Sequence, residues 1–313
     1  MRLIFLGTPA FAVPTLEALV QAGHEVAAVL TQPDRPRGRG QNAAPSAVKL
    51  AALRLGLTVY QPERVRRPEA VEYLRGIGSD AMVVVGYGQI IPQVVIDLAP
   101  LGIINVHASL LPKYRGAGPV QWAIVRGETR TGVTTMRINA GLDTGDMLLK
   151  AETEIGPEEN AVELGERLAL VGAHLLVETL EGLRSGSVVP EKQDDGQSTL
   201  APLLKKEDGA VDWSEAASAI HNRVRGLQPW PGARTSFRGV PLHLWKSRCG
   251  GGAQASGKSP GRILSVKPLL VACGEGVLEL LEVQLEGRKR ISAADFANGQ
   301  RLTDNDILGE PLH

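Results

Sequence analysis

Cysteine is nearly absent from this chain: of 313 residues, only Cys249 and Cys273 are cysteines. They stand far apart and neither belongs to a CxxC pair, which argues against a disulfide framework and a thiolate zinc site. Two inert packing thiols in a reducing cytoplasm are the expectation. Long apolar runs are also missing. No stretch reaches about 18 apolar residues, so no membrane-spanning helix is expected. The start, MRLIFLGTPAF, runs straight into a strand-like segment without a signal peptide's cleavage region. Net charge is zero, with 34 basic residues against 34 acidic ones. The balance is uneven: residues 205–313 hold 15 Lys and Arg against 12 Asp and Glu, and residues 1–204 hold 19 against 22. A C-terminal part that is only mildly basic is a weak pointer to a polyanion. Two nucleotide signatures are missing as well. The first strand-like run ends Gly7-Thr8-Pro9 with no GxGxxG, and no GxxxxGK[ST] occurs, so the phosphate turns of a dinucleotide site and a P-loop are excluded. None of the six histidines sits in a metal-ligand cluster, and no internal repeat is visible.

What is present is an ordinary globular composition, 43% hydrophobic and 22% charged, in a chain long enough for two domains. Up to about residue 190, strand-like and helix-like segments alternate. Strand-like runs cover 2–7, 25–31, 82–85, 103–107, 133–138 and 147–149. Helical spacing covers 10–22, then 46–55 with Ser46 as N-cap, and 160–184, where Leu164, Leu168, Val171, Leu175 and Leu176 form a core stripe. This alternation predicts an α/β fold with a Rossmann-like, open, mostly parallel sheet. In such sheets ligands bind beyond the carboxyl ends of the strands. A polar stretch, PEKQDDGQSTL, reads as a linker. The predicted organisation is a domain over 1–189, a linker over 190–204 and a second domain over 205–313. In the second domain a helix is expected at 213–224. Short β runs at 233–237, 242–246, 261–265, 269–273 and 277–285, separated by turn residues, suggest a small barrel or sandwich. The Gly/Ser-rich run 247–259 is expected to be a loop.

The chemistry concentrates in residues 105–123, NVHASLLPKYRGAGPVQWA. An apolar run leads into Asn105-Val106-His107, and on a strand residues two apart share a face. Asn105 and His107 therefore project together at a strand's carboxyl end. An amide NH2 donates to a developing oxyanion, and an imidazole moves protons near neutral pH. A third polar group comes from NAGLDTGDM, where glycines bracket Asp143. Taken singly, His107 reads as a satisfied structural histidine and Asp143 as a turn acid, with Asp146 as a competing choice. If the loop folds over the strand end, Asp143 orients the imidazole and compensates its charge. The signal lies in Asn, His and Asp sharing a site with Ser109-Leu110-Leu111-Pro112.

HASLLPKYRG, with GLDTGDML downstream, resembles the folate-dependent formyltransferases, and within them most closely those that act on methionyl-tRNA. The likeness runs almost end to end, through FLGTPAFAVPTLEAL, TQPDRPRGRG, PSAVK, VVGYGQIIP, DGAVDW, IHNRVRGLQPWPGA and KRISAADF. It implies the formyltransferase fold followed by a small OB-like β-barrel, with 10-formyltetrahydrofolate as formyl donor and no metal. It also implies initiator methionyl-tRNA as acceptor, for translation initiation, and a monomer with no membrane partner. Asn105 would then be the oxyanion donor, His107 the proton-handling imidazole and Asp143 its tuning acid. Ser109, Leu110, Leu111 and Pro112, with Tyr87, Gly88, Ile90, Ile91 and Pro92, would form the folate side. Gly86 stands where the family pattern has alanine.

The resemblance assigns the loop 32–49, otherwise a solvated Pro/Gly/Arg loop, to the tRNA acceptor stem through Arg35, Arg37 and Arg39. Gln41 and Asn42 stand there in place of lysines. On the barrel the candidate phosphate contacts are Lys205, Lys206, Arg223, Arg225, Lys246 and Arg248, with Arg288-Lys289-Arg290 as a further cluster or a solvated turn. Trp213 and Trp230 are expected to pack rather than stack on bases. A formyltransferase for a small amine, a formyltetrahydrofolate hydrolase module and a non-catalytic RNA-binding protein are the competing readings. The basic loop and the extra barrel speak against the first. The absence of a dehydrogenase domain up to His313 speaks against the second, and the three polar residues together speak against the third.

Overall fold

The computed structural model describes residues 1–37, 42–250 and 258–310. Two compact units result. One comprises Met1–Gly116, Thr131–Thr153 and Gly165–Leu200, and the other comprises Ala117–Arg130, Glu154–Leu164 and the chain from Ala201 on. The segment that reads as a linker is thus divided, with 190–200 in the first unit and 201–204 in the second.

The first unit carries strands β1 (Arg2–Gly7), β2 (Glu25–Leu30), β3 (Arg35–Arg37), β4 (Asn42–Ala44), β5 (Val59–Tyr60), β6 (Ala81–Val85), β7 (Ile103–His107), β8 (Arg130–Arg137) and β9 (Met147–Glu154). Its main sheet runs β5-β2-β1-β6-β7-β8-β9. The pairs from β5 to β7 are parallel and β7 pairs antiparallel with β8. β6 and β7 are buried at every position, which is why β6 reads as an apolar run rather than an alternating one. Helices α1 (Val13–Gln21), α2 (Ala47–Arg54), α3 (Pro68–Ile77), α4 (Gln93–Ile96) and most of α6 (Ala161–Ser185) belong to the first unit, whereas α5 (Pro119–Val125), between β7 and β8, falls in the second. Ser46 caps α2 as its sequence suggests, its hydroxyl accepting from the Lys49 N–H at 3.0 Å. The expected helix over 10–22 instead begins with a 3-10 turn at Ala10–Ala12, and α1 follows with a proline in its first turn.

Strand order reverses between β1 and β6, so the carboxyl ends of β1, β6 and the adjacent β7 open onto one switch point. Polar groups tie these ends together. Thr8 Oγ1 donates to the Tyr87 carbonyl at 3.0 Å, and Gln32 Nε2 donates to the same oxygen at 3.1 Å.

The second unit adds α7 (Ala217–Gly226), α8 (Ala293–Gln300) and strands β10 (Ala233–Phe237), β11 (Val240–Cys249), β12 (Ile263–Val266), β13 (Leu269–Ala272), β14 (Val277–Leu285) and β15 (Ile291–Ser292). The antiparallel order is β10-β11-β14-β13-β12, with β15 also on β14. Ile307 bridges Arg262 at the start of β12, and Leu308 bridges Phe237 at the end of β10. That short segment therefore bridges both edge strands. Bulges at Leu244–Ser247 bend the long β11 around the core. The helix expected over 213–224 starts only at Ala217. The Ser214 backbone N–H and hydroxyl both bond Asp212 Oδ1, making a turn of that stretch. Trp213 packs in the barrel core, its Nε1–H donating to Thr235 Oγ1 at 2.9 Å. Trp230, expected to pack, is 54% exposed. Cys273 is buried and its thiol is pushed up to about 12 by that burial. Cys249, read as a packing residue, is exposed at the end of β11.

Candidate active site

Asn105 and His107 occupy the last turns of a fully buried strand, paired with Val84 of β6 and Thr134 of β8 respectively. Both side chains are buried. His107 Nε2 lies 2.9 Å from the Tyr114 carbonyl oxygen. A carbonyl only accepts, so Nε2 carries the hydrogen and donates it. In the neutral ring the lone pair is therefore on Nδ1. That nitrogen faces Asp143, with Oδ2 at 3.7 Å. The separation is too long for a direct hydrogen bond and short enough for the carboxylate to compensate positive charge on the ring. The nitrogen free to take a proton is thus the one beside the carboxylate.

Three elements hold this arrangement. The turn after β7 is tied to β8: Thr134 Oγ1 donates to the Ser109 carbonyl at 2.7 Å and accepts from the Leu111 N–H at 3.1 Å. Tyr114 has φ +63°, a left-handed conformation unusual for a bulky residue, and its N–H donates to Thr199 Oγ1 at 2.9 Å. Asp143, with φ +52°, sits at the tip of the β8–β9 loop. Its Oδ2 accepts the Gly116 N–H at 2.9 Å. The bracketing glycines are required by space: a Cβ at Gly145 would lie 1.8 Å from the Arg137 carbonyl oxygen, and one at Gly141 2.0 Å from Thr144 Oγ1. Asp143 rather than Asp146 is therefore the acid beside the histidine.

The residues assigned to the folate side divide. Ile90 is 92% exposed, and Leu110, Ile91 and Pro112 are half-buried in the same turns. Gly86 and Gly88 have φ +57° and +80°. A methyl at Gly86 would press the Pro9 ring at 2.9 Å, so glycine relaxes a turn that alanine would strain. Three expected side chains face inward. Tyr87 is packed in the sheet core, where burial drives its phenol pKa far up, and it contributes its carbonyl to the switch point. Ser109 donates to the Lys113 carbonyl at 2.6 Å and Leu111 packs with Met136 and Met147. The side chains of these three pack into the fold, because a tight turn over a β-strand end must satisfy its own polar groups.

Among the candidate phosphate contacts, Arg35, Lys205, Lys206, Lys246 and Arg248 are exposed, although Arg248 bonds Glu279 at 2.6 and 3.1 Å. Arg223 is partly buried and pairs with Glu215 at 3.1 Å. Arg225 is a correction: it is 8% exposed and its guanidinium donates to the carbonyls of Gly156 at 3.0 Å and Glu159 at 2.9 Å. Those bonds consume the group that a phosphate would need. Arg39 lies outside the described residues, as does the side chain of Arg37. Among the described residues no group of His, Cys, Asp and Glu could hold a metal ion, and no helix is long and apolar enough to cross a membrane.

Sequence reasoning missed Tyr114, Arg115, Thr134 and Gln193. The first two lie inside the quoted LLPKYRG run, so proximity in sequence was a usable signal. Gln193 carried none, because its polar neighbours read as a linker.

Known proteins share this layout. The formyl transferase family pattern matches residues 1–180 and the formyl transferase C-terminal domain pattern residues 203–301. A methionyl-tRNA formyltransferase of Solibacter usitatus is 79% identical over 310 residues, 99% of each chain. One from Koribacter versatilis is 55% identical over 312 residues, again 99% of each. The solved structure of HypX from Aquifex aeolicus with tetrahydrofolic acid aligns over 95% of this chain and 47% of that one, with TM-score 0.65 and 17% identity. An N-formyltransferase from Helicobacter canadensis, in complex with folinic acid and dTDP-3-aminofucose, aligns over 89% of this chain and 98% of that one, with TM-score 0.65 and 17% identity. With both domain patterns matched in order and near-full-length relatives at this identity, the chain belongs to the formyl transferase family, among the methionyl-tRNA formyltransferases.

Proposed function

We propose that this chain transfers a formyl group from 10-formyltetrahydrofolate to the α-amino group of initiator methionyl-tRNA, for translation initiation. The observation that carries the chemistry is His107 suspended between the Tyr114 carbonyl and Asp143, beside Asn105 on the same strand face. The neutral amine attacks the formyl carbon and a C–N bond forms. The formyl oxygen takes up the electron pair and the Asn105 amide donates to it. His107 accepts the amine proton at Nδ1, and Asp143 compensates the imidazolium. When the bond to the donor nitrogen breaks, His107 returns that proton to the leaving nitrogen. The turns at 86–92 and 109–112 are assigned to the donor. Exposed Ile90, with Ile91, Pro112 and Leu110, offers apolar surface to its flat ring, and the backbone of Tyr87, Gly88, Ser109 and Leu111 shapes the wall.

Formyl transfer is assigned to residues 1–189 and tRNA contact to 205–313, through Lys205, Lys206, Lys246 and, less freely, Arg223 and Arg248. Arg35, Arg37 and Arg39 are assigned to the acceptor end. The enzyme is proposed to act as a cytoplasmic monomer. Offering the protein 10-formyltetrahydrofolate with methionyl-tRNA, and separately with small amines, tests the reading. Formyl-methionyl-tRNA is the expected product, and formylation of small amines alone would overturn the acceptor assignment.

A further inference from the structure

Residues 191–199 fall between the two matched family patterns and read as a linker, yet they lie hydrogen-bonded across the candidate active site. Glu191 pairs with Met147 at the base of the Asp143 loop, with both backbone bonds at 2.8 Å. Gln193 is the centre of this strap. Its Nε2 donates to the carbonyls of Asp143 at 2.8 Å and Gly145 at 2.7 Å. Its Oε1 accepts Arg115 Nε at 2.9 Å. Arg115 is buried, and its Nη2 reaches Asp195 of the same strap at 2.8 Å. Next to Arg115, Tyr114 holds the His107 Nε2 hydrogen and Gly116 holds the Asp143 carboxylate. A single amide side chain therefore links the backbone that carries the acid to the turn that sets the histidine's tautomer.

We propose that Gln193 is a positioning residue for formyl transfer, acting through Asp143 and the 114–116 turn. The inference rests on the formyl-transfer reading above. Its physical basis is the geometry of Asp143. A non-glycine residue at φ +52° persists only where its surroundings over-determine it. The carbonyl of Asp143 itself and that of Gly145, two residues on, are bonded by one donor, Nε2 of Gln193. Without that donor the loop relaxes, Oδ2 leaves its place opposite Nδ1, and the compensation of the imidazolium is lost while both substrates still bind.

Two variants, alone and in an Asp143→Ala background, separate this from a merely structural role. Gln193→Ala removes the donor and the acceptor. Gln193→Glu keeps an acceptor for Arg115 and removes the donor to the two carbonyls. Each is combined with Asp143→Ala. Both single variants are expected to lose roughly 10- to 100-fold in kcat with KM for donor and acceptor unchanged. In the Asp143→Ala background Gln193→Ala is expected to cost nothing further, since the residues act as one unit. Hydrogen exchange of the Gly116 N–H, which reports the Asp143 bond without any assay of activity, is expected to speed at least tenfold. Full kcat in Gln193→Ala, normal kcat in Gln193→Glu, a further equal loss in the double variant, or unchanged Gly116 exchange would each overturn the proposal. A wild-type protein that makes no formyl-methionyl-tRNA would refute the proposed function instead, and the Gly116 exchange would still decide the positioning role.

Discussion

Replacing Asp143 with asparagine isolates the carboxylate's charge from its shape. The amide oxygen of Asn can still accept the Gly116 N–H, so the loop keeps its anchor at 2.9 Å. What disappears is a negative charge 3.7 Å from His107 Nδ1. At that distance a unit pair is worth about 4.5 kcal/mol at an effective dielectric of about 20. Asp143 is 18% exposed, and proton transfer is incomplete at the transition state, so about 2 kcal/mol of the full value is realised. That corresponds to a loss of about 30-fold in rate. Single-turnover formylation of methionyl-tRNA with saturating 10-formyltetrahydrofolate measures it directly, and KM for both substrates is expected to be unchanged. A kcat within twofold of wild type would refute the argument. It would mean that the imidazole does not carry charge in the rate-limiting step, or that Asp143 serves only as a backbone anchor.

Other consequences follow from the same geometry. Gly145→Ala forces a methyl to within 1.8 Å of the Arg137 carbonyl, so the loop shifts and activity falls at least tenfold, read by steady-state kinetics alongside retained tRNA binding. Arg225→Ala removes a buried guanidinium that donates to the part-buried carbonyls of Gly156 and Glu159 and is expected to cost about 1–3 kcal/mol in thermal or denaturant unfolding. Lys246→Ala should leave stability unchanged and weaken tRNA binding with a shallower salt dependence; the reverse pattern would return Arg225 to the tRNA face. Burial lowers the pKa of His24 and His243 below the ordinary 6.5. The unfolded chain therefore binds more protons at these sites as pH falls below 6.5, so their contribution to stability is complete above that pH and declines below it. His243→Gln is expected to flatten the decline in urea midpoint between about pH 6.5 and 5.

Much of the site was legible because its parts are local. Asn105 and His107 are two apart on a strand, and the period of two alone places them on one face. Asp143 was recognisable by its glycines, whose necessity is steric. The inward turn of Tyr87, Ser109 and Leu111 was hidden, because a motif's residues can serve its turn as easily as its ligand. Arg225 misled for a related reason: a basic residue on an amphipathic helix reads as surface, and only packing against the 156–159 carbonyls consumes it. Helices α3 and α8 went unread although each carries a start signal, Pro68 in the first turn of one and Ser292 capping the other.

The alternation of apolar runs, and with it the mostly parallel sheet and the strand end that bears Asn105 and His107, can be read along the chain alone. Periodicity and turn chemistry are properties of neighbours along the chain. The glycine-bracketed acid can be read in the same way. Which nitrogen of His107 is free follows from the folded chain, since it depends on the Tyr114 carbonyl folding back 2.9 Å from Nε2. That residues 191–199 complete the site follows from the folded chain as well. Hydrogen bonds between residues 50 apart, such as Gln193 to Asp143, leave no periodic trace in a polar segment.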